Sequence, residues 1–262
     1  MNTLLFYYYI SYFFRRKTIY SVHSPFVYEF ISKIKKNQEA QCVSRIISKH
    51  RRRLIRNSNS IETVDFGTGS GDKKYTTYLE RINKLAKKRS LSKHETKLLY
   101  SMAHCFDPKT TIELGTAFGI STSALALANP RSKIYTIEGC ANIMAIAEAN
   151  FQRLDLKNIE SLIGEFDHVL PKLLKQIETI DMVFFDGNHR KNNTLQYFEW
   201  CKQKANTDTV FIFNDIYLSR EMKEAWNIII SDQQVTISID LFYFGLVFFR
   251  SGIEKQHFIL KI

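Results

Sequence analysis

Cysteine is scarce in this 262-residue sequence, which contains four copies of it. The four residues, Cys42, Cys105, Cys140 and Cys201, are widely separated and form no CxxC pair. This spacing excludes a zinc knuckle and a dense disulfide scaffold. Free thiols in a reducing compartment are the expected state, and we predict a cytoplasmic protein.

The sequence also has no apolar run long enough to span a membrane. Residues 1–14 are strongly apolar and aromatic, but a spanning helix needs about 20 such residues. No basic residue precedes the run and no small-residue cleavage site follows it, so we expect no secretory signal. The tyrosines suit an interface or a protein core, and we predict a packed helix here. The alternative is contact with a membrane surface or a partner.

Acidic residues are few in the first part of the chain. Residues 1–110 hold 22 Lys and Arg against 8 Asp and Glu, a net charge of +14, whereas residues 111–262 hold 15 against 18. Such an excess attracts anionic partners, although rows of charge more often form solvated helix faces. The candidate contacts with an anionic partner are His50, Arg51, Arg52, Arg53, Arg56, Lys87, Lys88 and Arg89. Nucleic acid is a less favoured partner.

The remaining composition is that of one folded globular protein. Hydrophobic residues make up 45% and charged residues 24% of the chain, which is typical of globular proteins. We predict a basic helical extension at residues 1–91 and an α/β domain at residues 92–262. The boundary lies at Ser92, which forms an S-x-x-E capping box with Glu95 ahead of a helix.

From Thr111 onward, short β-rich runs alternate with helical patterns, which predicts a mainly parallel, doubly wound α/β sheet. The predicted strands are Thr111–Gly115, Lys133–Glu138, Ile159–Ile163, Asp181–Asp186 and Thr209–Asp215. The predicted helices are Ser121–Ala128, Ala141–Leu154, His168–Ile177, Asn193–Lys204 and Arg220–Ile230. Two more strands, Val235–Phe242 and Phe244–Arg250, are connected so closely that they must pair antiparallel. We therefore expect a seven-stranded sheet that ends in an antiparallel hairpin.

A turn containing two glycines follows the first of these strands. Gly115 and Gly119 lack a Cβ, which lets a ligand approach the backbone at the start of a helix. The next strand ends at Glu138, whose carboxylate is placed to accept both hydroxyls of a ribose. The dinucleotide pattern G-x-G-x-x-G is not met, because Ala117 and Ile120 occupy the later glycine positions. The sequence therefore argues against NAD.

A second glycine-rich segment, Val64–Gly71, looks more like a nucleotide loop in isolation. No strand that ends in an acidic residue follows it at the required distance, because the residues after it are basic and helical in pattern. We predict a turn beside the cofactor site, with a cofactor contact as the alternative.

The E-x-G-x-x-x-G pattern from Glu113 to Gly119 resembles motif I of class I S-adenosylmethionine-dependent methyltransferases. A mainly parallel, Rossmann-like sheet with a terminal antiparallel hairpin is also the arrangement known for that class. The resemblance implies S-adenosylmethionine as the cofactor. The candidate cofactor-binding residues are Glu113, Gly115, Thr116, Ala117, Gly119, Ser121, Glu138, Gly139, Glu165, Phe166 and Asp186.

Polar residues follow two further strands, and they narrow the resemblance. The D-G-x-H pattern from Asp186 to His189 and the N-D-I pattern at Asn214 and Asp215 look like the small-molecule O-methyltransferases of the methyltransferase 24 family. The resemblance covers roughly residues 95–250. In metal-dependent members, the residues that match Asp186, Asn214 and Asp215 hold Mg²⁺. Asn214 departs from the two-carboxylate pattern of some relatives, which leaves metal dependence open.

The candidate catalytic residues are Asp186, His189 and Asp215. His189 is a candidate general base, because an imidazole titrates near neutral pH. The alternative is a histidine that only forms a hydrogen bond with Asp186 or a loop carbonyl.

The predicted function is methylation of an oxygen on a small-molecule or glycan-like acceptor. One alternative is a methyltransferase that modifies RNA or another nucleic acid. Base methyltransferases commonly carry N/D-P-P-Y/F where this chain has Asp186-Gly-Asn-His189, so that alternative ranks lower. The other alternative is a binding module for S-adenosylmethionine without catalysis. The acceptor and the oligomeric state are not predicted.

Overall fold

The computed structural model describes residues 3–65 and 76–262. The helices are α1 (Thr3–Arg15), α2 (Pro25–Lys36), α3 (Glu39–Arg56), α4 (Ile82–Arg89), α5 (Lys93–Phe106), α6 (Ile120–Ala128), α7 (Ala141–Arg153), α8 (Phe166–Gln176), α9 (Lys191–Lys202) and α10 (Arg220–Ser231). The strands are β1 (Ser60–Asp65), β2 (Thr76–Arg81), β3 (Thr110–Leu114), β4 (Lys133–Glu138), β5 (Ile159–Ile163), β6 (Ile180–Phe185), β7 (Ala205–Asn214), β8 (Ile237–Asp240), β9 (Phe244–Phe248) and β10 (Gln256–Ile259). Beyond Asp65, the predicted turn at Val64–Gly71 lies outside the described residues.

By its internal contacts, the chain forms two compact units. The first unit is Asn37–Lys175, and the second combines Met1–Lys36 with Gln176–Ile262. The sequence analysis divides the chain differently, into a helical extension that ends at residue 91 and an α/β domain that begins at residue 92. That division stays a prediction.

The first unit contains three parallel strands. β3 pairs with β4, and β4 pairs with β5, both in parallel. Ile112, Ile134 and Ile137 are fully buried in these strands, as expected for β-branched side chains on a covered sheet. α5 begins with the predicted capping box, in which the Glu95 N–H donates to Ser92 and the Ser92 N–H donates to Glu95. These strands and helix confirm the sequence pattern.

An antiparallel hairpin of β1 and β2 also belongs to the first unit. The expectation of a helical pattern after Gly71 is wrong for Thr76–Arg81, which form β2. Its sequence, TTYLER, has no continuous apolar face, so its strand character depends on pairing with β1. The Asn142 side chain at the start of α7 donates to the Glu62 carbonyl of β1 (2.8 Å). The hairpin is thereby tied to the segment that follows β4.

The second unit contains five strands. β6 pairs in parallel with β7, β9 pairs antiparallel with β7 and β8, and β10 pairs in parallel with β8. Phe184, Phe211 and Phe213 are fully buried in β6 and β7, which explains the continuous apolar runs. The predicted antiparallel hairpin of β8 and β9 is confirmed. β10 is a strand that the sequence analysis does not predict. With it, the sheet has eight strands among the described residues, where seven are predicted.

The mixed, mainly parallel α/β class is confirmed. Helix boundaries differ from the prediction by about one turn or less: α8 begins at Phe166, and α9 begins at Lys191. Within residues 3–65 and 76–262, no helix is both long and apolar enough to cross a membrane.

Candidate functional site

The turn between β3 and α6 has the conformation that its glycines predict. Gly115 (φ 105°) and Gly119 (φ 76°) both have positive φ angles. A Cβ on Gly119 would lie 2.4 Å from Cε1 of Phe151, so only glycine fits there. Ala117 also has a positive φ (44°), and its N–H donates to Oε2 of Glu138 (2.9 Å). The turn is thereby held against the end of β4.

Glu113 supports this turn from within β3. Its side chain is fully buried and accepts hydrogen bonds from the hydroxyls of Thr122 and Thr136. Burial raises the pKa of this carboxyl, and the Ser121, Thr122 and Thr136 hydroxyls oppose that rise. Thr136 also shares a hydrogen bond with the Thr116 hydroxyl (2.6 Å). Glu113, Thr116 and Ser121 thus stabilise the turn from inside, and their direct contact with a cofactor stays a prediction.

Glu138 is held by backbone N–H groups at the end of β4. The Cys140 N–H donates to Oε1 (3.0 Å), the Ala117 N–H donates to Oε2, and the Gly139 N–H also contributes. Burial raises the pKa of Glu138, whereas these N–H groups and the guanidinium of Arg89 lower it. The residue is half-buried, and each oxygen has a further lone pair. This carboxylate therefore fits an acceptor of two ribose hydroxyls.

The end of β5 lies beside the end of β4. The Gly164 N–H donates to the Glu138 carbonyl (3.0 Å). Glu165 and Phe166 follow, both half-buried, and the Glu165 carbonyl accepts the N–H of Val169 (2.9 Å) as α8 begins. The structure therefore brings both residues to the edge that holds Glu138. Their contact with an adenine stays a prediction.

Arg89 is a further residue near Glu138 that the sequence analysis assigns to a basic surface. It is half-buried at the end of α4, and its Nη2 donates to the hydroxyl of Tyr78 on β2 (3.3 Å). Its positive charge lowers the pKa of Glu138. No local sequence signal predicts this placement, because it depends on how the β1–β2 hairpin and α4 pack in the first unit.

Asp186, His189 and Asp215 come together in the second unit, at the carboxyl ends of β6 and β7. One atom of each residue that could coordinate a metal, a carboxylate oxygen or an imidazole nitrogen, lies within 4.8 Å of the corresponding atoms of the other two. Asn214 donates from Nδ2 to Oδ1 of Asp186 (2.7 Å), and Nε2 of His189 lies 3.9 Å from the same oxygen. Parallel pairing of β6 with β7 brings their carboxyl ends to one edge. The four residues predicted from the D-G-x-H and N-D-I patterns therefore form one cluster.

Backbone strain and burial both mark this cluster. Asn188 (φ 50°) and Asp215 (φ 56°) adopt left-handed conformations, which cost energy and concentrate at functional sites. Burial lowers the pKa of His189, and the charge of Asp215 opposes that effect. The imidazole is therefore neutral near neutral pH and is able to accept a proton.

The donors of this cluster fit the Mg²⁺ that the family resemblance implies. Asp186 and Asp215 offer carboxylate oxygens, which Mg²⁺ prefers. Oδ1 of Asn214 is buried and has no hydrogen-bond partner in the described part of the chain. Rotation of this amide by a half-turn would present Oδ1 in place of Nδ2 toward Asp186. His189 offers nitrogen and is better suited to proton transfer.

A buried polar pair adjoins the cluster, and the sequence analysis does not predict it. The Tyr217 hydroxyl donates to Oδ2 of Asp240 (2.5 Å), and the Phe242 N–H donates to Oδ1 (2.9 Å). The Asp215 N–H donates to the Tyr243 carbonyl (3.0 Å). These bonds join the segment after β7 to the segment after β8. Asp240 is an acidic residue at the end of the apolar strand β8. That sequence pattern is the signal that could have identified it.

The basic residues of α3 are only partly arranged as predicted. His50 is buried and Arg51 is half-buried, so they do not belong to the exposed face, and the prediction is corrected there. The exposed cations recur every three or four residues along the helix, which places them on one side. They are Arg45, Lys49, Arg52, Arg53 and Arg56. On α4, Lys87 and Lys88 are exposed.

Comparison with known proteins relates these features to a family. Residues 112–216 match the methyltransferase 24 family, described as a methyltransferase domain. A catechol O-methyltransferase from Niastella koreensis is 28% identical over 130 residues, which cover 48% of this chain and 58% of that protein. A tRNA (guanine-N(7)-)-methyltransferase from Mycoplasma mobile is 33% identical over 91 residues, which cover 34% of this chain and 45% of that protein. The chain thus spans about half the length of these curated relatives.

The fold has solved counterparts. The O-methyltransferase TomG from Streptomyces achromogenes, solved in complex with S-adenosylmethionine, has a TM-score of 0.55 and 22% identity over 62% of this chain and 82% of that chain. At this identity, the likeness concerns the fold. The family match includes both the glycine turn after β3 and the cluster after β6 and β7. Residues 112–216, less than half of the chain, are therefore similar to the methyltransferase domain of the methyltransferase 24 family.

Proposed function

We propose that this protein transfers a methyl group from S-adenosylmethionine to a hydroxyl oxygen of a small acceptor. The observation that carries the proposal is the cluster of Asp186, His189 and Asp215, whose ligand-type atoms lie within 4.8 Å of one another. Two carboxylates and a neutral imidazole are able to position a hydroxyl and accept its proton. The catechol O-methyltransferase relative supports oxygen as the acceptor atom. A catechol-like ring is the first acceptor that we expect, and a sugar hydroxyl is the second.

In the first unit, we assign the cofactor to the edge formed by β3, β4 and β5. S-adenosylmethionine supplies a methyl carbon on a sulfonium when it is bound. Glu138 accepts the ribose hydroxyls, and Glu165 and Phe166 contact the adenine. Ala117 holds Glu138 in place through its N–H (2.9 Å). Because these groups are fixed by the turn and the strand ends, little rearrangement is needed for binding.

In the second unit, we assign the acceptor chemistry to Asp186, His189 and Asp215. His189 accepts the hydroxyl proton while the acceptor oxygen attacks in line. Asp186, held by Asn214 at 2.7 Å, orients the hydroxyl and stabilises the protonated imidazole. Mg²⁺ held by Asp186, Asn214 and Asp215 would favour the deprotonated form of an acceptor hydroxyl.

The direct test is turnover by the full chain with S-adenosylmethionine and catechol. We expect S-adenosylhomocysteine and singly methylated catechol to form in equal amounts, measured by mass spectrometry. Omission of the acceptor is the control for spontaneous breakdown of the cofactor. If the cofactor binds but no hydroxylated aromatic or sugar is methylated, oxygen transfer to a small acceptor is wrong. Cofactor binding without methylation of any acceptor, including RNA, would support a non-catalytic module.

A nucleic-acid acceptor is the second candidate function. The tRNA methyltransferase relative and the exposed cations of α3 favour it. The residues Asp186-Gly-Asn-His189 argue against it, since base methyltransferases commonly carry N/D-P-P-Y/F there. We rank it below methylation of a small acceptor.

The exposed face of α3 gives a test of anionic partners that does not depend on catalysis. Arg52→Gln/Arg53→Gln should weaken binding of single-stranded RNA and lower the slope of log affinity against log salt by roughly 1.4 for two lost phosphate contacts. Lys172→Gln/Lys175→Gln, which removes two exposed cations from α8, is the matched control and should change neither quantity. Fluorescence anisotropy with labelled RNA measures both. RNA binding that is absent, or equal in both variants, would leave α3 as a solvated surface.

A further inference from the structure

Helix α1 packs its inner face through tyrosines against the Gln176–Ile262 part of its own unit. The Tyr8 ring lies 5.3 Å from the Tyr217 ring, and the Tyr9 and Tyr12 rings lie 5.1 and 5.3 Å from Phe242. The Tyr12 hydroxyl donates to the Leu260 carbonyl (2.5 Å). These contacts confirm the expected packed helix.

The outer face of α1 is apolar and exposed. Tyr7 is 67% exposed and Phe14 is 81% exposed, and Phe6, Ile10 and Phe13 are exposed beside them. Their spacing of three or four residues places them on one side of the helix. No charged residue occurs before Arg15, so no charge interrupts this face. Soluble proteins rarely expose a continuous apolar stripe unless it contacts a partner or a membrane.

Only positive charges accompany this stripe. Arg15, Arg16 and Lys17 follow it directly, and Glu29 is the first acidic residue of the chain. The Arg16 guanidinium lies 4.2 Å from the centre of the Phe13 ring, so one cation sits within the aromatic face. Tyr20 is 86% exposed just beyond these cations. An occupant of this surface must accept aromatic rings and carry negative charge.

We propose that the outer face of α1 docks the protein on an anionic lipid bilayer, with the helix lying in the plane of the interface. Apolar rings that enter the acyl boundary and cations that meet acidic headgroups are the two attractions that hold such helices. Tyrosine suits the boundary because its ring is apolar and its hydroxyl is polar. A second copy of the chain fits less well, because it would bring the same cations, and Asp240, the carboxylate that interacts with Arg15, is buried. This inference is independent of the acceptor.

The test is flotation of the full chain with lipid vesicles. We expect the protein to bind vesicles that contain phosphatidylglycerol and to bind pure phosphatidylcholine vesicles more weakly. Phe6→Ser/Phe14→Ser should lower the partition coefficient on anionic vesicles by on the order of tenfold for each ring. Arg16→Gln/Lys17→Gln should remove most of the preference for anionic lipid.

Two control variants separate the α1 face from other surfaces. Leu79→Ser removes another exposed apolar side chain (71% exposed, on β2), and Lys172→Gln/Lys175→Gln removes two exposed cations from α8. Both should bind as the unchanged protein does. Absence of binding to anionic vesicles, or equal binding by Phe6→Ser/Phe14→Ser, overturns the proposal. A lipid-free dimer, seen by analytical ultracentrifugation and lost in Phe6→Ser/Phe14→Ser, would overturn it in favour of a second copy.

Discussion

Replacing Asp186 by alanine is expected to lower the rate constant for methyl transfer by about a thousandfold, and His189→Ala by about a hundredfold. Asp186 has the larger effect because it contacts Asn214 at 2.7 Å, lies 3.9 Å from His189, and is also a ligand in the proposed metal set. Removal of His189 leaves the carboxylates to position the hydroxyl. Single-turnover formation of S-adenosylhomocysteine measures both rates.

Asp181→Ala is the matched control for this comparison. Asp181 is a half-buried carboxylate near the opposite end of β6. Its replacement therefore tests whether loss of any carboxylate from β6 lowers activity by destabilising the strand. It should retain most of the activity. Equal retention of activity by the Asp186 and His189 variants would refute the assignment of Asp186. Addition of a chelator tests the metal separately, and an unchanged rate argues that Asp186 acts without Mg²⁺.

The strands near the cofactor could be predicted from the sequence because their patterns are local. Lys133–Glu138 and Ile159–Ile163 have the predicted boundaries. Each is a short strand that contains β-branched residues, and β4 has a polar residue, Glu138, at its carboxyl end. The position of Glu138 follows from the strand, since the last residue of a parallel strand faces the edge where ligands bind.

The elements that could not be predicted depend on pairing between distant segments. β2 has a polar sequence that becomes a strand only beside β1, and β10 becomes one only beside β8. The same reason applies to Arg89. Its local pattern, Lys87-Lys-Arg89, is that of a solvated helix end, but the fold of the first unit brings its charge to Glu138.

In the candidate site, too, some features could be predicted from the sequence and others could not. The residue types and strand positions of Asp186, His189 and Asp215 predict a cluster, and the structure brings the three together. Their hydrogen bonds could not be predicted. Asn214, predicted as a metal ligand, donates from its amide nitrogen to Asp186, and the residue type alone does not determine which end of the amide faces the carboxylate.

Replacing Glu138 by alanine is expected to weaken binding of S-adenosylmethionine and S-adenosylhomocysteine by about a hundredfold, because two hydroxyls lose a charged acceptor. Glu138→Gln keeps the shape and one acceptor oxygen and should lose about tenfold. Isothermal titration calorimetry measures these affinities, and Glu160→Ala on β5, whose carboxylate pairs with Lys133 at 2.8 Å, should leave them unchanged. The alanine substitution also removes the acceptor of the hydrogen bonds that the Ala117 and Cys140 N–H groups donate to Glu138. Thermal unfolding of each variant therefore separates the loss of ligand contacts from a loosened turn. Unaltered affinity in a folded Glu138→Ala protein would remove Glu138 from the cofactor site, and binding of NAD in place of both ligands would contradict the cofactor itself.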